Sequence, residues 1–156
     1  MPDAALDDIT EFLKCRRLAI VGVSRNPRDF SRALFREFVA QGYDAVPVNP
    51  KAEEVEGRRC FARIGDVTPP ISAALLLTPP ATAEQNVHEC VEADVKRIWV
   101  YKAVSDSTMR ERALDFCRKR GLVMIDGYCP FMFFPKTGFI HRVHRFFMQL
   151  AGSYPL

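Results

Sequence analysis

A doubly wound α/β domain with a mostly parallel, five-stranded sheet is the fold class that this sequence predicts, on three observations. Short apolar runs recur at 18–23, 43–48, 73–78, 97–101 and 122–125, each long enough for one strand. Segments of helical periodicity separate them, so the order reads β-α-β repeated. Runs such as Ala73-Ala74-Leu75-Leu76-Leu77 are apolar on both faces rather than alternating, as strands covered by helices on either side must be. A chain of 156 residues suits a single domain, 1–156, able to bury about two thirds of its unfolded surface.

The elements follow in order. An N-terminal helix is expected over about 4–15. After the first strand, Ser31 is positioned to cap a helix whose apolar stripe is Leu34, Phe35, Phe38 and Val39, and Gly42 stops it. Residues 53–70 have no clear period and read as a connection with a short helix. Thr82 and Gln85 have capping-box spacing ahead of Val87, Cys90 and Val91. A later helix carries Met109, Ala113, Phe116 and Cys117 and ends before Gly121. A C-terminal amphipathic helix is expected over about 138–151, with Phe139, Val143, Phe146, Phe147 and Leu150 against His141, Arg142, Arg145 and Gln149. Core docking explains that helix most simply, because Phe131-Met132-Phe133-Phe134 just upstream also need cover. Packing across a homodimer or lying on an anionic membrane surface stay open as alternatives.

Composition narrows the functional classes. The five cysteines are odd in number and form no C-x-x-C pair, so free thiols in a reducing, cytoplasmic setting are expected. No apolar run approaches the roughly 20 residues of a membrane span, and the acidic opening Met1-Pro2-Asp3-Ala4-Ala5-Leu6-Asp7-Asp8 is unlike a transit peptide. A net charge of +3 is too mild to imply a nucleic-acid partner by itself, although Tyr128 to Leu156 contains no acidic residue.

In doubly wound folds ligands settle beyond the carboxyl ends of the strands, where the strand order reverses. The first such end, Gly22-Val23-Ser24-Arg25-Asn26, is an apolar strand opening into small polar residues before a helix, an anion-binding pattern. It keeps one glycine of G-x-G-x-x-G, so the dinucleotide fingerprint fails. Arg25, Arg28, Arg32 and Arg36 crowd this region, with Asp29 and Glu37 the only acids, and beside a phosphate-type turn they read as anion-facing. The second end, Pro47-Val48-Asn49-Pro50-Lys51, puts a cation where an NAD site needs a carboxylate for the ribose. That suits a ligand with an extra ribose phosphate, either the 2′-phosphate of NADP or the 3′-phosphate of coenzyme A. Thr78-Pro79-Pro80 forms a stiff third end, and Cys129 lies where the last strand leaves the sheet.

Taken together, Gly22-Val23-Ser24-Arg25, Gly42-Tyr43, Pro47-Val48-Asn49-Pro50-Lys51, Thr78-Pro79-Pro80, Trp99, Ser105, Gly121, Cys129-Pro130 and a tail with Phe139, His141, His144 and Gly152-Ser153-Tyr154-Pro155 resemble the small stand-alone bacterial CoA-binding proteins. These are similar to the CoA-binding domain of the succinyl-CoA synthetase α subunit. The resemblance implies a Rossmann-like domain that takes coenzyme A or an acyl-CoA across the strand ends. Ser24 and Arg25, with Ser31 beyond them, would hold the diphosphate, with Gly22 and Val23 forming the turn. Asn49 and Lys51 would meet the phosphorylated ribose or adenine end, Thr78 and Pro79 would line the groove, Tyr101 and Lys102 would flank the cofactor, and Cys129 would lie toward the pantetheine thiol. One departure is that Tyr101-Lys102-Ala103-Val104-Ser105 lacks the glycine many relatives carry there.

No catalytic constellation is legible. His141 and His144 share a helix face, but no third metal ligand accompanies them, and no nucleophile–base pair or carboxylate pair can be assembled. The expectation is a cytoplasmic CoA-binding accessory protein without chemistry of its own, with no metal. An NADP-dependent oxidoreductase-like protein and a basic-tail module for membrane or nucleic acid are the alternatives.

Overall fold

The computed structural model describes residues 2–101 and 107–134. In chain order its strands are β1 (Arg17–Val21), β2 (Asp44–Val48), the short β3 (Glu54–Val55) and β4 (Arg58–Arg59), β5 (Ala73–Leu76), β6 (Arg97–Val100) and β7 (Val123–Asp126), and its helices are α1 (Pro2–Leu13), α2 (Phe30–Ala40), α3 (Pro80–Glu92) and α4 (Ser107–Lys119). Five strands form one all-parallel sheet in the order β2-β1-β5-β6-β7. The chain steps from β1 out to β2, then crosses back to build the other half from β5. The strand order therefore reverses between β1 and β5, as the sequence reading requires of a doubly wound fold.

Alternate residues of each strand face opposite layers. Leu18 and Ile20 of β1, Leu75 of β5, Trp99 of β6 and Ile125 of β7 pack with Ile9 and Phe12 of α1 and Leu34, Phe35 and Phe38 of α2. Ala19, Ala74, Leu76, Ile98 and Val100 turn the other way, onto Ala83, Val87 and Cys90 of α3 and Cys117 of α4. Double-sided burial is why these strands read as unbroken apolar runs. Trp99 is the largest side chain wholly inside. Phe12 meets its ring edge-on at 5.3 Å, and its indole N–H donates to the Tyr128 carbonyl at 2.9 Å, so one side chain ties α1 to the segment leaving β7.

Several expected boundaries move for local reasons. The first helix spans Pro2–Leu13 rather than 4–15. Asp29, not Ser31, caps α2: its carboxylate accepts from the Ser31 amide while Ser31 itself lies inside the helix. The Thr82–Gln85 capping box is absent, because α3 already begins at Pro80 and the Thr82 hydroxyl turns back to the Pro79 carbonyl. Gly42 and Gly121, at φ of +89° and +69°, do end their helices. Residues 53–70, expected as a connection with a short helix, contain the β3–β4 hairpin as well as a 3₁₀ turn, Ile64–Asp66. Two-residue strands carry too little alternation to show in a sequence pattern. The C-terminal helix expected over 138–151, with Lys136, His141 and His144, lies outside the described residues, as does the segment 102–105.

Replacing Trp99 removes both a packed ring and a buried donor. Trp99→Ala is expected to lower the unfolding free energy by about 3–5 kcal/mol, measured from chemical denaturation followed by circular dichroism.

Candidate functional site

β1 stops at Val21 because Gly22 swings the chain out of extended geometry at φ +91°. A Cβ at that position would stand 3.0 Å from Thr78 Cγ2 and 3.2 Å from the Thr78 amide nitrogen. The ends of β1 and β5 thus approach closer than a side chain allows, at the point where the strand order reverses. Beyond it the turn hydrogen-bonds itself: the Ser24 amide donates to Ser31 Oγ at 2.8 Å, the Ser31 hydroxyl donates to Asp29 Oδ1 at 2.6 Å, the Asn26 amide to Ser24 Oγ at 3.0 Å and the Arg28 amide to Asn26 Oδ1 at 3.0 Å. The Ser24, Asn26 and Arg28 N–H groups are thus engaged inside the turn. Val23 is wholly buried and lines neither of the two cavities that meet at Gly22.

The arginine cluster divides. Arg32 donates through one nitrogen to the Ser24 and Arg25 carbonyls at 3.2 and 3.1 Å and reaches Glu56 at 3.3 Å with the other. Arg36 meets the same Glu56 oxygen at 2.6 Å and the Pro27 carbonyl at 3.1 Å. Both therefore clasp the turn from beneath, contrary to their reading as anion-facing, while Arg25 and Arg28 are exposed on it. Glu56 sits in the β3–β4 hairpin at φ +49°, followed by Gly57 at +74°, the paired left-handed geometry of a two-residue hairpin turn. A residue near position 25 is thus held by one near 56, a link that no local pattern could reveal. The Arg36 hydrogen bond is the main reason the Glu56 carboxyl ionises more readily than usual; burial opposes it, and the charges of Arg32 and Arg36 add to it.

Two cavities meet at Gly22. The larger, about 610 Å³, is lined by Asn49, Lys51, Arg63, Thr78, Pro79 and Glu89 among others, and the second, about 430 Å³, by Ser24, Asp29, Phe30, Ser31, Leu77 and Tyr101. Both fall within the usual ~300–1,000 Å³ of ligand sites. Asn49 straps the two strand ends together, its amide donating to the Val23 carbonyl at 2.8 Å while its Oδ1 accepts from the Lys51 amide at 2.8 Å. The Lys51 side chain is exposed. Thr78 Oγ1 accepts from the Asn86 side-chain amide, and Pro79 is the boundary residue of α3. At the other end Phe30, 42% exposed, stacks on Tyr101 at 5.1 Å between centroids.

Cys129 belongs to the hydrophobic core. It is 5% exposed, lines neither cavity, and shares a hydrogen bond with the Tyr101 hydroxyl. Burial pushes its thiol up, outweighing the Phe131 amide, Tyr101 and the Met132 amide, which favour the thiolate; burial also pushes Tyr101 up to about 12. Lys102 is outside the described residues. Phe30, Arg63 and Glu89 are among the lining residues that sequence reasoning did not single out: Phe30 stands one residue before Ser31, outside the recognised stripe, and Arg63 belongs to a stretch with no periodicity.

A parallel α/β sheet whose ligand-sized crevice opens at the strand-order reversal defines the class as a nucleotide-binding doubly wound domain. The model of the CoA binding domain family matches residues 16–135, so the chain belongs to that family. It is 25% identical over 125 residues to the α subunit of the ADP-forming acetate–CoA ligase II of Pyrococcus furiosus, covering 76% of this chain but only 27% of that subunit. It is 23% identical to the uncharacterized protein YneT of Bacillus subtilis, over 83% of this chain and 93% of YneT. A solved structure of a hypothetical protein from Pyrococcus horikoshii superposes with a TM-score of 0.70 at 25% identity, covering 81% of this chain and 86% of that one. Family membership and the ligase similarity both support coenzyme A binding.

Two outcomes follow from the geometry. Glu56→Gln keeps the side-chain shape but removes the charge, so the stability gap between it and the wild type should be full at neutral pH. Because the folded carboxyl titrates below its ordinary 4.5, the gap should persist down to that value and close as the pH falls through the lowered one, as denaturant midpoints across pH will show. Brief iodoacetamide treatment of the native protein should label Cys15, which is half-buried, ahead of the buried Cys60, Cys90, Cys117 and Cys129, by peptide mass spectrometry.

Proposed function

We propose that the protein binds coenzyme A or an acyl-CoA along the two joined cavities and acts as an accessory or carrier protein, with no chemistry of its own. The observation that carries the reading is Lys51: an exposed cation beside the cavity at the end of the second strand, where a dehydrogenase of this architecture has a carboxylate for the ribose. The 3′-phosphate meets Lys51, and the adenosine lies between Asn49 and the Thr78–Pro79 wall. The diphosphate crosses Gly22 toward Ser24, with Arg25 supplying charge and Ser31 fixing the turn. The pantetheine arm runs on past Phe30 and Tyr101, with Cys129 behind; Lys102, outside the described residues, is a further proposed contact.

The chain matches about a quarter of the ligase subunit, 27%, and the reading assigns it ligand binding rather than ligation. With the Ser24, Asn26 and Arg28 amides engaged inside the turn, the exposed cations Arg25 and Arg28 supply charge for the diphosphate, so affinity should weaken as salt rises.

Thermal shift with coenzyme A, dephospho-CoA, NADP and NAD tests this, because a ligand of the folded state raises the melting temperature according to its concentration over Kd. Coenzyme A should stabilise most. Dephospho-CoA should bind more weakly by about 1–3 kcal/mol, the worth of a charge-assisted hydrogen bond, and Lys51→Ala should narrow that difference. Stabilisation by NADP but not by coenzyme A would overturn the reading.

A further inference from the structure

The geometry points to Arg63 as a second cation for the ribose phosphate, making the subsite a two-pronged clamp that selects ligands carrying a phosphate monoester on the ribose. This rests on the proposed coenzyme A reading and deepens it. Arg63 comes from a different part of the chain than Lys51, yet both line the 610 Å³ cavity, and both are exposed.

Three observations set Arg63 apart. The first is that its neighbours in the chain are committed elsewhere: Arg58 pairs with Asp44 at 2.9 Å, and Arg59 lies over the Phe61 ring at 4.7 Å. The Arg63 guanidinium has no hydrogen bond or ion pair among the described residues. The second is that its backbone is anchored. Phe61 bridges to Val48 at the end of β2, donating to the Pro47 carbonyl at 3.0 Å and accepting from the Asn49 amide at 2.9 Å. Arg63, two residues on and extended at φ −136°, opens the 3₁₀ turn whose Asp66 amide donates back to its carbonyl. The segment that carries Arg63 is therefore joined by backbone hydrogen bonds to the end of β2, three residues before Lys51, and the two cations are presented to one cavity.

The third is charge balance. Glu89 is the one carboxylate lining this cavity, and it accepts from the Gln85 side chain at 3.3 Å. Two cations against one engaged carboxylate favour a dianion. A guanidinium offers paired N–H donors that match two oxygens of a phosphate, while Lys51 acts as a compact point charge, so the two supply different parts of the recognition.

Isothermal titration of the full chain with coenzyme A and dephospho-CoA, for wild type, Arg63→Ala and Arg63→Lys, decides it. Arg63→Ala should weaken coenzyme A roughly tenfold or more and leave dephospho-CoA within about twofold. Arg63→Lys should recover part of the loss, because charge returns without the paired donors, and the salt dependence of coenzyme A binding should flatten in Arg63→Ala. Since only its main chain is used in the fold, the Arg63→Ala melting temperature without ligand should match wild type. Equal weakening of both ligands, or of neither, overturns the clamp while leaving the coenzyme A reading intact. Failure of wild type to bind coenzyme A refutes that reading and the clamp together.

Discussion

Everything at the working end of this domain depends on the contact between the main chains of β1 and β5. Gly22 turns at φ +91°, and a Cβ there would stand 3.0 Å from the Thr78 methyl and 3.2 Å from the Thr78 amide nitrogen, so the two strand ends close on each other and then splay apart. The closure gives the sheet its paired core, and the splay creates the crevice. Any larger residue at position 22 would meet both a conformational penalty and a steric one. One glycine makes this close approach, and the turn beyond it engages the Ser24, Asn26 and Arg28 amides internally.

A turn so short of outside partners needs support, and it comes from the rest of the chain. Arg32 and Arg36 lie on α2, take hold of the carbonyls of Ser24, Arg25 and Pro27, and are themselves held by Glu56 from a hairpin inserted after β2. The hairpin segment also anchors to β2 through Phe61. What looks like a loop between two strands is therefore a brace for the first turn and the carrier of Arg63 at once. Sites for charged ligands gain from such bracing, because groups already fixed in place lose less freedom when the ligand binds.

Much of the architecture was legible because double-sided burial leaves a strong mark. Five strands recur as apolar runs, and the helices between them show their stripes, so the parallel sheet and its ligand-binding edge could be inferred before any coordinates. That position 51 faces the cavity was legible too, since it follows directly on the second strand. The fate of the arginine cluster was not. Sequence proximity groups Arg25, Arg28, Arg32 and Arg36, but the helix directs the last two inward to a carboxylate some twenty residues away, and only folding brings that carboxylate there. The depth of Cys129 is likewise a tertiary matter: adjacency to a strand end says nothing of it, and the fold sets the thiol in the core, hydrogen-bonded to Tyr101.

By itself, then, the sequence determined the layers, the order of the strands along the chain and the family to which it belongs, because hydrophobic period and turn chemistry are local quantities. Which cations remain free, which amides are already used and how the two cavities join were decided by tertiary structure alone. Those properties depend on pairings between residues distant in the chain, and a charge is available to a ligand only if no partner from elsewhere has reached it first.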